Sequence, residues 1–276
     1  MRLVIKLAGA LLDDPAAVEN IAQQVAQLAR EGHELLVVHG GGKIFTATLA
    51  RMGIQSNFVN GLRVTDRETR DVGVMVFAGL LSTRLAAAIS RQGVPAVGVS
   101  AADGECFTAE PMQVGEVSGR LGFVGYLTGA NVALIESLWR AGVVPVAACL
   151  GLGSDGELYN INADHMGLIF LTDVAGVLDG EKVLLAVSCE EVEELIRQNK
   201  VSGGMVLKLE ACKRALSGGV RQVRIVGGGV PDGLLRAANG AKFPGTRVTP
   251  LFPTKRVRSL RRREEPLVAQ HEVISR

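Results

Sequence analysis

The connection made by residues 165–167 is the sequence feature that most constrains how this chain folds. It joins a polar segment, residues 160–164, to an apolar run at residues 168–171 that is predicted to be a β-strand. Consecutive parallel strands of one sheet need a crossover of about ten or more residues, which is usually helical. Three residues are too few for such a crossover, so we predict that one piece of the usual scaffold is missing here.

The rest of the chain alternates between short apolar runs and longer helical segments. The apolar runs predict buried strands at residues 3–7, 35–38, 95–99, 143–148, 168–171 and 221–226. Between most of them lie helical segments, such as the one that Asp14 and Pro15 begin. This alternation favours an α/β protein with a doubly wound, open and mainly parallel sheet.

Two local signals indicate structure outside this alternation. Residues 58–64 predict a β-hairpin with a two-residue turn at Asn60 and Gly61, and residues 105–128 predict further small antiparallel hairpins. Thr65 and Glu68 have the spacing of a capping box, which predicts that a long helix begins there and continues toward Arg91.

The distribution of charge argues against a nucleic-acid-binding protein. The net charge is +2, but residues 251–276 contain 7 Lys/Arg and 3 Asp/Glu, so the remainder is slightly acidic and is not expected to bind nucleic acid. The basic tail is a weak exception, for which a solvated, disordered extension is the favoured interpretation.

Four scattered cysteines without CxxC spacing indicate free thiols in a reducing cytoplasm and no metal site. No apolar run reaches about 20 residues, so we expect no membrane span.

A glycine-rich segment, His39-Gly40-Gly41-Gly42-Lys43, lies between a predicted strand and a predicted helix. Its backbone N–H groups and the helix N-terminus suit an anion, although a tight strand-to-helix turn is an equally simple interpretation. An esterase oxyanion hole is excluded because the sequence has no GxSxG nucleophile motif. The phosphate-binding pattern GxxxxGK[ST] is absent as well, and no GxGxxG fingerprint follows the first strand.

Several polar residues occupy positions that suit a functional site, and most of them also have a purely structural explanation. Lys6 lies within an apolar strand, where a lysine is costly unless its ammonium group reaches a partner or a cleft. Lys208 lies near a helix start, where a cation is unfavourable, yet a solvated helix lysine is common. Arg63 follows the hairpin turn and suits a carboxylate clamp. Asn160, Asn162 and Asp164 share one face if their segment is extended, which also fits a polar surface strand.

Taken in chain order, these segments resemble the amino acid kinase family. The matching motifs are Lys6…Gly9, HGGGK at 39–43, NGLRVT at 60–65, NINAD at 160–164, LTDVAGV at 171–177 and GMVLK at 204–208. The resemblance spans residues 2–249 and implies the carbamate kinase-like fold, a three-layer αβα sandwich with an open, mainly parallel central sheet. The most similar members use ATP with Mg²⁺ to convert N-acetyl-L-glutamate to N-acetyl-L-glutamyl 5-phosphate in arginine biosynthesis.

The resemblance also implies a role for particular residues. Lys6 and Lys208 would neutralise the transferring phosphoryl group, and Asp164 would orient both ammonium groups. Substrate binding would fall to Gly41, Gly42, Arg63 and Asn160, with Arg63 holding the α-carboxylate. Nucleotide binding would fall to Gly9, Thr172, Asp173, Gly204 and Met205. Mg²⁺ would arrive with ATP rather than occupy a site built from protein ligands.

The same resemblance implies how the chain is organised. Residues 1–250 would form one domain, with a substrate lobe at about 1–155 and a nucleotide lobe at about 156–250, and residues 251–276 would follow as the tail. Because the chain begins almost directly at its first strand, we expect a homodimer of the type without arginine regulation.

Two departures from the family pattern leave alternatives open. Ala8 stands where the family usually has glycine, and about ten residues of a helix are missing after Asp164. We expect either that residues 160–164 are displaced or that a neighbouring helix fills the gap. Displacement of Asp164 would leave a non-catalytic protein that binds N-acetylglutamate. A third alternative is a sister kinase for an aminoadipate-type substrate, against which the hairpin motif counts.

Overall fold

A mainly parallel sheet forms the centre of the protein, as the computed structural model shows for residues 1–59, 61–112, 121–166, 169–218, 220, 222–240 and 245–250. The strands are β1 Arg2–Leu7, β2 Glu34–His39, β3 Phe58–Val59, β4 Leu62–Arg63, β5 Ala96–Val99, β6 Phe107–Pro111, β7 Val124–Ala130, β8 Val144–Ala148, β9 Leu150–Gly153, β10 Leu158–Ile161, β11 Ile169–Thr172, β12 Leu178–Asp179, β13 Lys182–Val183, β14 Ala186–Ser188, β15 Val223–Gly227 and β16 Thr246–Thr249. The central sheet has the order β14-β16-β15-β11-β1-β2-β8-β5. Its adjacent strands are parallel except for β15 and β16.

Helices cover both faces of this sheet. They are α1 Pro15–Arg30, α2 Gly42–Arg51, α3 Arg67–Arg91, α4 Val132–Arg140, α5 Cys189–Arg197, α6 Gly204–Ser217 and α7 Gly233–Ala238, with 3₁₀ turns at Gly9–Asp13 and Ala163–Met166. Residues of α1, α7 and the end of α3 pack with Ile5 and Leu7 on one face. Lys6 lies between those two residues in β1, so strand alternation directs it to the opposite face. The predicted α/β sandwich is confirmed.

The long helix α3 contains a feature that the sequence did not predict. Residues Met75–Leu81 form a π-helical segment inside an otherwise α-helical element. Within the described part of the chain, α3 is the one helix long and apolar enough to cross a membrane by length and composition, yet more than half of its most apolar stretch is buried in the protein. That burial is typical of a core helix.

The start of α3 differs from the predicted capping box. Asp66 is the N-cap, since its carboxylate accepts a hydrogen bond from the Thr69 backbone N–H at 2.8 Å. Thr65 is buried, and its backbone pairs with that of Leu121 and Phe123 instead. The predicted hairpin is confirmed by the antiparallel pair β3 and β4, although Asn60 in its turn lies outside the described residues.

A small closed sheet of β6, β7, β9 and β10 stands beside the central sheet. The antiparallel pair β6 and β7 confirms the hairpin predicted within residues 105–128, of which 113–120 lie outside the described residues. In this sheet β10 pairs with β7 and β9, whereas β11 pairs with β1 and β15 in the central sheet.

The short connection therefore does not link neighbouring strands of one sheet, and the premise that it must replace a crossover is wrong. The chain leaves the closed sheet at Ile161, makes the 3₁₀ turn Ala163–Met166 and enters the central sheet at Ile169. Gly167 and Leu168 lie outside the described residues, as does the tail 251–276. Of the two expected outcomes, a neighbouring helix fills the space, because α6 packs against the turn.

Candidate active site

Two lysines and one aspartate from distant parts of the chain meet on the face of β1 that Lys6 occupies. Asp164 Oδ1 forms an ion pair with Lys6 Nζ, and its Oδ2 lies 3.9 Å from Lys208 Nζ. Lys6 and Asp164 are only 6% and 7% exposed. The expectation that the short connection displaces Asp164 is thus wrong, since the carboxylate contacts one ammonium group directly and lies near the other.

The backbone around Asp164 explains how so short a connection holds it. Asn162 Oδ1 accepts a hydrogen bond from the Asp164 backbone N–H at 3.0 Å, which caps the 3₁₀ turn. Lys208 lies one turn into α6, where its Nζ donates to the Gly204 carbonyl oxygen at 3.3 Å. A capped single turn against α6 therefore fixes the carboxylate between the two lysines.

Burial and ion pairing act on Lys6 in opposite directions. Burial lowers the pKa of Lys6 below its ordinary value, and the Asp164 carboxylate partly offsets that effect by favouring the charged ammonium form. The carboxylate is therefore an electrostatic as well as a geometric requirement of the cluster.

Two glycine segments approach each other beside Lys6 at the carboxyl ends of β1 and β2. A Cβ atom on Gly9 would lie 3.2 Å from the Gly42 backbone nitrogen, and a Cβ atom on Gly41 would lie 2.2 Å from Leu81 Cδ1. A side chain on Gly9 would crowd the backbone of Gly41 and Gly42, and a side chain on Gly41 would displace Leu81. Gly42 begins α2, whose N-terminus provides free backbone N–H groups for an anion.

These glycines line a cavity of about 260 Å³. Its wall also includes Lys6, Arg63, Asn160 and Asn162. Asn160 is oriented by a hydrogen bond from its Nδ2 to Thr65 Oγ1 at 3.3 Å. The structure thus brings together one of the predicted catalytic lysines and the predicted substrate-binding residues around one space.

Neutral groups hold Arg63 in this cavity. Its guanidinium lies 4.7 Å from the ring centre of Phe45 and 4.6 Å from that of Phe58. The two terminal nitrogens donate to Ser56 Oγ at 2.5 Å and to Thr46 Oγ1 at 2.7 Å. No carboxylate contacts Arg63 among the residues that the structure describes. Its charge is therefore available to a carboxylate of a bound molecule.

The predicted nucleotide-binding residues divide into two groups. Gly9 lines the cavity, whereas Thr172, Asp173, Gly204 and Met205 do not. Thr172 is buried at the end of β11, and its hydroxyl donates to Asp173 Oδ1 at 3.0 Å. Gly204 and Met205 begin α6, the helix that carries Lys208. These four residues lie in the half of the chain that follows Asp164. The described residues contain no cluster of His, Cys, Asp and Glu suited to a metal ion.

Sequence reasoning missed several residues that shape the site. Asn162 was noted only as part of an alternating polar set, and its spacing of two from Asp164 is the signal for a side chain that caps a turn. The contact of Phe58 with Arg63 follows from the predicted hairpin, whose two-residue turn places the two residues opposite each other. The contacts of Phe45, Ser56 and Thr46 with Arg63 had no signal in the sequence, because those residues meet only through the fold.

Comparison with known proteins places the chain in a family. The sequence profile of the amino acid kinase family matches residues 1–227. The acetylglutamate kinase of Koribacter versatilis is 47% identical over 238 residues, covering 82% of this chain and 90% of that protein. The acetylglutamate kinase of Solibacter usitatus is 42% identical over 261 residues, covering 90% of this chain and 100% of that protein.

Solved structures share the fold at lower identity. N-acetylglutamate synthase from Neisseria gonorrhoeae, complexed with coenzyme A and N-acetyl-glutamate, has a TM-score of 0.79 at 22% identity. That match covers 90% of this chain and 59% of the synthase chain. The relatives that share most of this sequence are kinases of a small molecule, so the protein is a small-molecule phosphotransferase. This chain belongs to the amino acid kinase family.

Proposed function

We propose that this protein transfers the γ-phosphate of ATP to the side-chain carboxylate of N-acetyl-L-glutamate, as an acetylglutamate kinase of arginine biosynthesis. The observation that carries the proposal is the contact of Asp164 with Lys6, and its approach to Lys208, beside a cavity lined by glycines and Arg63. The names of the relatives at 47% and 42% identity support the choice of substrate.

The proposed chemistry is an in-line displacement at phosphorus. A carboxylate oxygen of the substrate attacks the γ-phosphorus, the bond from that phosphorus to the β,γ-bridging oxygen breaks, and ADP leaves. Charge accumulates on the phosphoryl oxygens, so catalysis depends on positioning and on fixed positive groups. Lys6 and Lys208 supply those charges, and the backbone N–H groups of Gly9, Gly41 and Gly42 donate to oxygens of the reacting groups.

The cavity suits the rest of the substrate. Arg63, which has no carboxylate partner among the described residues, binds the α-carboxylate through its remaining donors. Asn160 presents an amide that hydrogen-bonds to the substrate. A cavity of about 260 Å³ fits a molecule of this size better than a whole nucleotide.

The nucleotide belongs, in this proposal, to the second half of the chain. Residues 1–155 form the substrate lobe and residues 156–250 the nucleotide lobe, where Thr172, Asp173, Gly204 and Met205 contact ATP. Mg²⁺ enters with the nucleotide phosphates, as is usual for ions bound with ATP. Asp164 lies between the two lobes, at the place where the γ-phosphate must reach the carboxylate.

The alternatives are less favoured. A non-catalytic binding protein requires a displaced Asp164, and the observed contacts with the lysines argue against it. An aminoadipate kinase receives no support from relatives that are named acetylglutamate kinase.

We also propose a cytoplasmic homodimer. Four free cysteines suit a reducing compartment. The strand β5 stands at the edge of the central sheet with Val97 exposed, a feature that pairing with a second copy would cover. Light scattering of the purified protein tests the dimer, and a monomer mass at micromolar concentration would reject it.

The function is tested by trapping the acyl phosphate with hydroxylamine in the presence of MgATP and N-acetyl-L-glutamate. We expect hydroxamate to form at about 1–10³ turnovers per second, the ordinary range for enzymes. Reactions with unacetylated glutamate, with an N-blocked aminoadipate, or without ATP serve as controls. Failure to form hydroxamate while N-acetylglutamate still binds would favour the non-catalytic alternative. Faster turnover of the N-blocked aminoadipate than of N-acetylglutamate would reject N-acetylglutamate as the substrate.

A further inference from the structure

A buried histidine lies directly behind the glycine loop of the site. His39 ends β2 and is 0% exposed. Its Nδ1 lies 2.9 Å from the Gly40 carbonyl oxygen, and its Nε2 lies 2.9 Å from Ser82 Oγ. Burial lowers the pKa of His39 to about 4, so the ring is neutral near pH 7. A neutral ring satisfies both contacts when Nδ1–H donates to Gly40 and Nε2 accepts from the Ser82 hydroxyl.

The Ser82 contact depends on the π-helical segment in α3. Ser82 is the first residue after Met75–Leu81, and it is as buried as its neighbours in the core. An added residue in a helical turn rotates everything after it by about 100° relative to an uninterrupted α-helix. The segment thereby sets Ser82 against His39 and, one residue earlier, Leu81 against Gly41.

The bond from His39 to Gly40 has a consequence for Gly41. In a trans peptide the carbonyl group and the following N–H point in opposite directions. Holding the Gly40 carbonyl oxygen toward the His39 ring therefore fixes the direction of the Gly41 N–H. Gly40 and Gly41 both line the cavity, so a Gly41 N–H that is directed into it can donate to a bound oxyanion.

We propose that His39 and Ser82 are positioning residues that lock the Gly40–Gly41 peptide so that the Gly41 N–H is directed at the reacting oxygens. The inference rests on the proposed kinase function. We use the term relay for the two hydrogen bonds that join Ser82 to His39 and His39 to Gly40. The π-helical segment has a role as well, because it places the Ser82 hydroxyl at one end of this relay. π-Helical turns are frequent at functional sites.

Two substitutions at His39 each keep only one of the two hydrogen bonds that the ring makes. In His39→Asn the side-chain amide replaces Nδ1 and still donates to Gly40, whereas in His39→Gln the side-chain oxygen replaces Nε2 and meets only Ser82. We expect kcat of His39→Asn to stay within about 3-fold of the parent protein and that of His39→Gln to fall about 10-fold, part of the 10²–10³-fold cost of losing an oxyanion donor. The KM for N-acetylglutamate is expected to change less than kcat in both.

Ser82→Ala removes the other end of the relay, with Ser90→Ala as its matched control. Ser90 also lies on α3, and its hydroxyl accepts from the Ala96 backbone N–H at 3.2 Å, away from the cavity. We expect kcat to fall about 3- to 10-fold in Ser82→Ala and less than 2-fold in Ser90→Ala, with melting temperatures of the two variants within a few degrees. Equal losses of kcat in His39→Asn and His39→Gln, or in the two serine variants, would overturn the proposal.

A readout independent of turnover separates failure of this inference from failure of the proposed function. In ¹⁵N NMR of the full chain, the His39 ring is expected to carry its proton on Nδ1 between pH 6 and 8, assigned by the loss of that signal in His39→Asn and His39→Gln. A proton on Nε2 in the parent protein would overturn the relay whether or not the protein phosphorylates N-acetylglutamate. The Nδ1–H form in a protein without turnover would refute the function and leave the relay standing.

Discussion

The site holds its positive charges in two contrasting ways. Lys6 and Lys208 share a buried carboxylate, Asp164, which comes from a different segment of the chain. Arg63 is fixed by two aromatic rings and two hydroxyls, and no described residue neutralises it. Both arrangements keep a cation in place, but only the first compensates its charge within the protein.

The difference indicates that Arg63 acts in substrate binding and that the two lysines act in the transition state. A cation without an internal partner binds a permanent anion strongly, which suits recognition of a carboxylate in the ground state. Cations that share an internal carboxylate are held at a fixed position and gain most when further negative charge develops beside them. We therefore expect loss of Asp164 to lower kcat and loss of Arg63 to raise KM.

The largest expected effect is that of Asp164→Asn. Without the carboxylate neither ammonium group keeps its orientation, and misplacement of this kind costs about 10²-fold or more in kcat. Steady-state kinetics with N-acetylglutamate measure it. The stability control is the double variant Lys6→Met with Asp164→Leu, because replacing a buried ion pair by apolar groups restores stability without restoring charge. A double variant as active as the parent would contradict the role of the cluster.

The same cluster predicts a pH dependence. Burial places the Lys6 pKa in the folded protein below its ordinary value, so activity that needs the ammonium form declines as pH rises through that lowered pKa. Asp164 raises this pKa, so Asp164→Asn is expected to move the alkaline limb of kcat to lower pH. The free energy of unfolding depends on pH in the opposite direction. Between the lowered pKa of Lys6 in the folded protein and its ordinary pKa, the unfolded chain binds more protons than the folded protein does. The contribution of Lys6 to stability therefore increases as pH rises through that range. Identical alkaline limbs in the two proteins would contradict this account.

Arg63→Lys is expected to have the next largest effect, on KM. Lysine keeps the charge but loses the planar donor set that bridges Ser56, Thr46 and a carboxylate. A charged hydrogen bond contributes about 1.5–3 kcal/mol, so the KM for N-acetylglutamate should rise about 10- to 100-fold while kcat changes less. Initial rates over a range of substrate concentration measure both constants. A fall in kcat with unchanged KM would reverse the assignment.

Asn162→Ala tests how the short turn holds Asp164. The side chain caps the turn through the Asp164 backbone N–H, and loss of such a cap costs about 0.5–2 kcal/mol. We expect kcat to fall about 3- to 20-fold, and Asn162→Asp, which keeps an acceptor, to recover most of it. If both variants behave alike in melting temperature and kcat, the cap does not position Asp164.

Phe58→Leu gives the smallest expected change. Phe58 is largely exposed, so its main contribution is the cation–π contact with Arg63, of about 0.5–1 kcal/mol. KM should rise about 2- to 5-fold. Met52→Leu is the matched control, since Met52 is an exposed apolar residue outside the cavity lining. An equal KM in Phe58→Leu and the parent would show that the ring does not hold Arg63.

The strands that appear as local apolar runs could be predicted from the sequence, whereas pairing between distant segments could not. The strands β1, β2, β8 and β11 were predictable because each is a short apolar run that the sheet buries on both faces. The assignment of β10 to a separate closed sheet was not, because its partners β7 and β9 are chosen by long-range pairing that leaves no local signal. The error about the short connection follows from that one assignment.

The site shows the same division. Lys6 was singled out because a lysine in a buried strand needs a partner, and the motifs of the family supplied Asp164 and Lys208. The π-helical segment and the relay from Ser82 to His39 were missed, because a register shift within an apolar helix does not alter the sequence pattern that predicts a helix.

Calorimetric titration of N-acetylglutamate into Asp164→Asn and Arg63→Lys tests the division between the two charge sites most directly. Melting temperatures taken beforehand confirm that both variants are folded. The account predicts that Asp164→Asn binds the substrate within about 3-fold of the parent affinity despite its loss of turnover, whereas Arg63→Lys loses about 10-fold or more. Equal loss of affinity in both variants, or loss confined to Asp164→Asn, would contradict it.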